Sequence, residues 1–231
     1  MPEAENELSV QVAVLTLGDE TLELLEFQSA GAAHEMPTDS ASNDLWFQHL
    51  AIVVSNMDTA WEHLEMFDVD AISPAPQTFP GYLEAAGISA FYFKDPDGHV
   101  LELIHFPTEK GDSKWHKKQS GLFLGIDHTA IAVQDTFESL PFYQQLGFTK
   151  NTQTKNYGPQ QEMLNQVKDA QLLVTSSVAE AGMGVEFLDF KNPEEGRPFP
   201  TNAQPKDLTH CHSVVKVADV GAFFDWTKSA G

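Results

Sequence analysis

The chain repeats itself at two spacings. MPTDSASNDLWFQHLAIVV (36–54) and FPTNAQPKDLTHCHSVVKV (199–217) align without gaps, bringing Pro37 onto Pro200, Thr38 onto Thr201, Asp44 onto Asp207, Leu45 onto Leu208 and His49 onto His212, a constant offset of 163. The same offset carries LELLEF (22–27) onto VEFLDF (185–190), and so Glu23 onto Glu186. An offset of 79 carries HLAIVV (49–54) onto HTAIAV (128–133) and LELLEF onto LELIHF (101–106); the remaining 84 carries Glu102 onto Glu186 and His128 onto His212. Self-similarity of this kind constrains a fold before any local propensity does. One module is written several times, each opening on a His-led strand and closing on a Glu-bearing strand. Two copies are whole, 43–107 and 125–190, whereas 8–28 holds a closing half and 208–231 an opening half.

Within a copy the elements follow from periodicity. After HTAIAV, Phe137, Leu140, Tyr143 and Gln144 recur at helical spacing and Gly147 is a natural stop. AQLLVTS (170–176) and GVEFLDF (184–190) read as strands, and FTKNTQT (148–154) as a strand of weaker alternation. ISAFYF (88–93) meets HVLELIHF through Asp95, Pro96, Asp97 and Gly98, the residues of a type I turn. The expected fold is therefore α+β, built from βαβββ modules of about 60 residues, each too small to bury a core alone. Copies must pair. Residues 28–43 and 191–206 share a PT(D/N) pattern that 107–121 lacks, so 107–121 is the expected domain boundary, each whole copy pairing with a half. The other pairing joins the two whole copies across that linker.

Composition narrows the function. With 34 acidic against 13 basic residues and a net charge of −21, a nucleic-acid partner would be repelled. The longest aliphatic run is Leu50–Val54, far short of a membrane span, and MPEAENELS is no signal peptide, so a cytoplasmic protein is expected. The single cysteine, Cys211, precludes an intrachain disulfide, and Arg197 is the one arginine.

Strand parity locates the polar residues. His128 shares its face with Ala130 and Ala132, His49 with Ala51, and small neighbours leave space before each ring. Leu101 and Leu103 suit the helix-covered face, which turns Glu102 to the opposite one, where an unpaired carboxylate would be costly. His and Glu recurring on one sheet face, copy after copy, suit a divalent cation. His99 and His105 have the opposite parity, and His34, His63 and His116 have no patterned company.

YFKDPDGHVLELIHF together with HLAIVV and IDHTAIAV resembles the vicinal oxygen chelate superfamily, the glyoxalase, bleomycin-resistance and extradiol dioxygenase group, over most of the chain. The resemblance implies modules paired edge to edge into cup-shaped mixed sheets with helices outside. It implies His49 and His128 as opening-strand metal ligands, Glu102 and Glu186 as closing-strand ligands with catalytic capacity, and Glu23 and His212 as their counterparts in the half-copies. Lys216 shares the face of His212 and would oppose a metal there. The chain resembles a four-module arrangement lacking the first opening and the last close, from which a homo-oligomer or module exchange between chains is expected. The implied cofactor is a divalent ion, Zn, Ni, Mn or Fe(II), chelated by two oxygens of a small-molecule substrate. Glu23, His49 and Glu102 would form one ligand set, and His128, Glu186 and His212 one of the dioxygenase type; the two whole copies together would supply His49, Glu102, His128 and Glu186, a set nearer the glyoxalase type. The alternative is a drug-sequestering binding protein whose cup is lined by residues such as Tyr82, Phe91, Tyr157 and Asn165.

Overall fold

The computed structural model describes residues 9–28, 33–117 and 121–230. Residues 8 and 231, at the outer limits of the expected half-copies, and 29–32 and 118–120 in the linkers lie outside the described residues. The mixed α+β architecture expected from the repeat is present. The order is β1 (Ser9–Leu17), β2 (Glu20–Gln28), β3 (Phe47–Val54), α1 (Met57–Glu65), β4 (Asp70–Ala71), β5 (Gln77–Thr78), β6 (Ser89–Lys94), β7 (Val100–His105), β8 (Phe123–Val133), α2 (Thr136–Gln145), β9 (Thr149–Tyr157), α3 (Pro159–Asn165), β10 (Gln171–Val178), β11 (Gly184–Asn192) and α4 (Val220–Ala230). The repeat extends to the helix starts: Asn56 caps α1 by accepting from Thr59 N at 2.8 Å, and Asp135, 79 residues on, caps α2 by accepting from Phe137 N at 2.6 Å.

Nine strands form one sheet in the order β4-β6-β7-β3-β8-β11-β10-β9, with β5 on β6. Each closing strand lies parallel to its own opening strand, β7 on β3 and β11 on β8, and the two opening strands meet antiparallel at the centre. The whole copies therefore pair with each other, and the expected grouping of each with a half-copy is corrected. The described part of the 107–121 stretch does not behave as a boundary either. Trp115, on a 3₁₀ turn (Ser113–His116), is buried against Ala51, Val53, Ile104 and Leu124 at one end of the seam. A tryptophan amid Lys, Gly and Ser was the local sign that this stretch returns to the core.

Helix α1 covers one face of its half-sheet, with Met57 and Ala60 on Val54, Phe91, Phe93 and Leu103. That is also where Phe91 sits, so it does not line the cup. The other face carries Ala51 and Ala130, both fully buried, and over it lies α3, whose Leu164 packs with Phe79, Leu83, Ala90 and Tyr92. No periodicity announced α3, a seven-residue helix.

The half-copies behave differently. β1 and β2 form a two-stranded sheet of their own, leaving Val10, Val12, Val14, Leu15 and Leu24 exposed. Residues 212–217, expected as an opening strand, have no strand structure. Their counterparts β3 and β8 gain ladder bonds from β7 and β11 and from each other, so neither has a free edge to offer. Among the described residues no helix is long and apolar enough to cross a membrane.

The longer repeat shows itself in two straps that cross and reciprocate. Leu45 N donates to Arg197 O at 2.8 Å, and Leu208 N donates to His34 O at 3.1 Å, the same bond displaced by 163 at both ends. Asp44 accepts from Ala41 N and the Arg197 guanidinium; Asp207 accepts from Gln204 N and from His34 N and Nδ1. The His34 side chain and backbone bonds hold the Asp207 carboxyl down at about 2. A group depressed in the folded state stabilises above its unfolded value and loses that contribution as pH falls through the folded one. In urea titrations, the stability gap between the parent and Asp207→Asn should hold steady above about pH 5 and close progressively towards about pH 2.

Candidate metal centre

The antiparallel seam pairs Phe47 with Ile131 and His49 with Ala130, then Ala51 with His128 and Ile52 with Ile126. Gln48 on β3 and Asp127 on β8 are each skipped, as is Leu124 further along β8. A bulge lets consecutive side chains project to the same side. Gln48 and Asp127 use this to hold the histidine that follows each: Gln48 Oε1 accepts from His49 Nδ1, and Asp127 Oδ2 accepts from His128 Nδ1 at 2.9 Å. With both Nδ1 atoms donating, both Nε2 lone pairs are turned inward.

Those lone pairs meet. His49 Nε2 lies 3.2 Å from His128 Nε2, and Glu102 Oε2 lies 3.1 Å from the first and 3.6 Å from the second. Glu186 Oε2 lies 3.5 Å from His128 Nε2, and one ligand atom each from His49, His128 and Glu186 falls within 4.8 Å of the other two. Glu102 Oε2 is fully buried and makes no hydrogen bond among the described residues, despite its two imidazole neighbours. Two nitrogen lone pairs and two carboxylates converging in this way repel one another unless a cation or a proton stands between them. Nitrogen and oxygen donors of this kind fit a divalent transition ion.

Without a metal the cluster draws a proton. Burial opposes the charged form of His128, but Glu186, Asp127 and Glu102 outweigh it and hold its pKa at about 10. Burial raises the Glu186 carboxyl, with His128 acting against the rise and Glu102 adding to it. Burial, then Glu102 and Glu186, push the Tyr92 hydroxyl well above its ordinary value; its ring centroid is 4.9 Å from that of His49. His49, Glu102 and His128 are buried, whereas the Glu186 side chain retains 20% exposure and marks the open side.

Four of the six residues expected to bind metal are thus brought together. Glu23 stands exposed on the β1–β2 hairpin, paired across to Val14, and His212 is exposed beside His210; neither reaches the cluster. Tyr82 and Tyr157, 6.0 Å apart, line a separate cavity of about 390 Å³ with Leu83, Glu84, Gln153, Thr154, Lys155 and Leu173. Asn165 is buried on α3. Strand parity missed Gln48, Asp127 and Tyr92. A polar residue directly before each His, in both whole copies, was the available signal for the first two.

Two βαβββ copies joined through their opening strands, with a His and a Glu from each at the joint, define a duplicated-module protein with a cluster of residues that could hold a metal ion. The chain belongs to the Glyoxalase/Bleomycin resistance protein/Dioxygenase superfamily, whose profile matches residues 2–103 and 125–231. Glyoxalase I from Zea mays is similar at 16% identity and TM-score 0.49, over 78% of this chain and 54% of that one. Methylmalonyl-CoA epimerase from Mycobacterium tuberculosis is similar at 16% identity and TM-score 0.43, over 67% of this chain and 92% of that one. No curated protein matches the chain significantly.

Two outcomes are expected from calorimetry with Zn²⁺. Glu102→Ala and His128→Ala should each weaken binding by more than about 100-fold, beyond what loss of an outer partner costs, while His105→Ala, on the helix-covered face, stays within about twofold. Because His128 carries its proton at neutral pH and a metal displaces it, binding should release about one proton, and affinity should rise by roughly tenfold per pH unit between about pH 6 and 9. Runs in buffers of different ionisation enthalpy count that proton.

Proposed function

We propose that the chain is a metal-dependent enzyme acting on a small oxygen-bearing substrate that chelates the ion through two neighbouring oxygens. The observation that carries this reading is the convergence of His49 Nε2, His128 Nε2 and the unpartnered Glu102 Oε2 within 3.1–3.6 Å of one another. His49, Glu102, His128 and Glu186 would hold the ion. A divalent ion there supplies Lewis acidity towards a substrate carbonyl. Gln48 and Asp127 keep both histidines in the ligating tautomer. Glu102 is sealed among His49, His128 and Tyr92 and cannot exchange protons with solvent easily. Glu186 faces the open side with a carboxyl that burial raises above its ordinary value, which makes it the stronger base of its kind and suits it to take a proton from carbon beside a carbonyl and return it.

Two carboxylates at the centre favour isomerase or lyase chemistry over ring cleavage, for which two His and one carboxylate suffice. A divalent transition metal such as Zn, Ni, Mn or Fe(II) is the proposed cofactor. The exposed apolar hairpin supports assembly into a homo-oligomer. The Tyr82–Tyr157 cavity, which shares no residue with the cluster, is the observation favouring a second reading as a small-molecule binding protein.

Elemental analysis of purified, metal-supplemented protein should find about one ion per chain. With hydroxyacetone in heavy water, the loaded protein should exchange the hydrogens alpha to the carbonyl, and Glu186→Gln should abolish exchange while keeping the metal; oxygen uptake with catechol should stay at background. Absence of bound metal would transfer the assignment to the binding protein, and rapid oxygen uptake to the dioxygenase.

A further inference from the structure

The linker contributes to the metal centre. Asp127 divides its two oxygens between two donors: Oδ2 accepts from His128 Nδ1 at 2.9 Å, and Oδ1 accepts from the Trp115 indole N–H at 2.6 Å. We infer that Trp115 is a positioning residue of the metal site, fixing the Asp127 carboxylate and through it the direction in which His128 presents its ligating nitrogen. This rests on the reading of the cluster as a metal centre.

Packing alone does not account for the arrangement. Trp115 lies so flat on the seam that a Cβ on Gly125 would come within 2.8 Å of its Cη2, so glycine at that point of β8 is what admits the ring. The Lys114 ammonium sits over the ring, 4.2 Å from its centroid, and is itself paired with Glu20 Oε1 at 2.8 Å. Glu20, on the hairpin, is buried, and its second oxygen accepts from Ile126 N at 3.4 Å, one residue from Asp127. The indole is thus held against the Gly125 backbone and an ion-paired cation, with its N–H donating to one carboxylate oxygen. Without that bond, Asp127 is free to rotate about its side chain, and His128 loses the fixed acceptor that keeps its Nε2 turned towards Glu102 and Glu186. Charge-assisted bonds of this length are among the stronger ones, and outer partners of metal-bound histidines typically change affinity by 10–100-fold.

The test measures Zn²⁺ affinity by chelator competition in four proteins: the parent, Trp115→Phe, Asp127→Ala and the double variant. Phenylalanine keeps most of the packing and removes the donor. Trp115→Phe should weaken zinc binding by about 3- to 10-fold, less than direct loss of the Asp127 carboxylate, because it acts through that group. In the Asp127→Ala background the same change should alter affinity by less than about twofold, since the only route to His128 is gone. The Co²⁺-loaded parent and Trp115→Phe should also differ in their visible ligand-field spectra. In unmodified protein, the Trp115 indole N–H resonance should move on zinc addition, a readout independent of whether the variant folds. An unmoved resonance, an unchanged affinity in Trp115→Phe, or an equal loss in both backgrounds would overturn the inference while leaving the metal centre standing. A parent that binds no zinc would remove both.

Discussion

The antiparallel seam between β3 and β8 is the contact on which the site depends. No single copy contains the whole cluster: His49 and Glu102 come from one, His128 and Glu186 from the other. Only the seam brings the two imidazoles to 3.2 Å. Side chains alternate along strands, so a slip of one residue would turn one histidine out of the cup. The bulges at Gln48 and Asp127 oppose such slippage, because each drops out of the pairing at one fixed point of the seam and each is tied by its side chain to the adjacent histidine.

The two halves of the site are related but unequal. His49 is oriented by a neutral amide and His128 by a carboxylate, at positions 79 apart in the repeat. Negative charge from Asp127 accumulates on the side where Glu186 opens to solvent, while Tyr92 and α3 close the side of His49. The repeat gives two like donors, and the unlike residues beside them, Gln48 and Asp127, go with a sealed side at His49 and a more accessible one at Glu186.

Much of this was legible beforehand, and the limits are physical. Parity along HTAIAV and HVLELIHF placed His49, Glu102, His128 and Glu186 on one face because alternation holds within each strand. It failed at Asp127 because a bulge suspends alternation, and a bulge depends on the partner strand. Pairing was misassigned from linker composition: the PT(D/N) stretches are alike because they cross and bond each other reciprocally through Asp44–Arg197 and Asp207–His34, not because each ties a half-copy to a whole one. Glu23 and His212 match the repeat as well as their counterparts do, but a ligand position in sequence acts as one only where its strand finds a neighbour.

The seam also governs how the halves come apart. β3 pairs with β7 across 51 residues of chain (Leu50 with Leu101) and β8 with β11 across 56 (His128 with Gly184), whereas the seam joins residues 69 to 84 apart, from Val54 with Phe123 to Phe47 with Ile131. Loop closure grows only with the logarithm of length, so the seam costs about 0.3 kcal/mol more chain entropy than either half-sheet. An ion held by residues of both halves would have to be released before they separate, and so would slow the parting of the seam. Under the proposed function the centre would thus act as a kinetic clasp on a duplicated protein, in addition to whatever chemistry it performs.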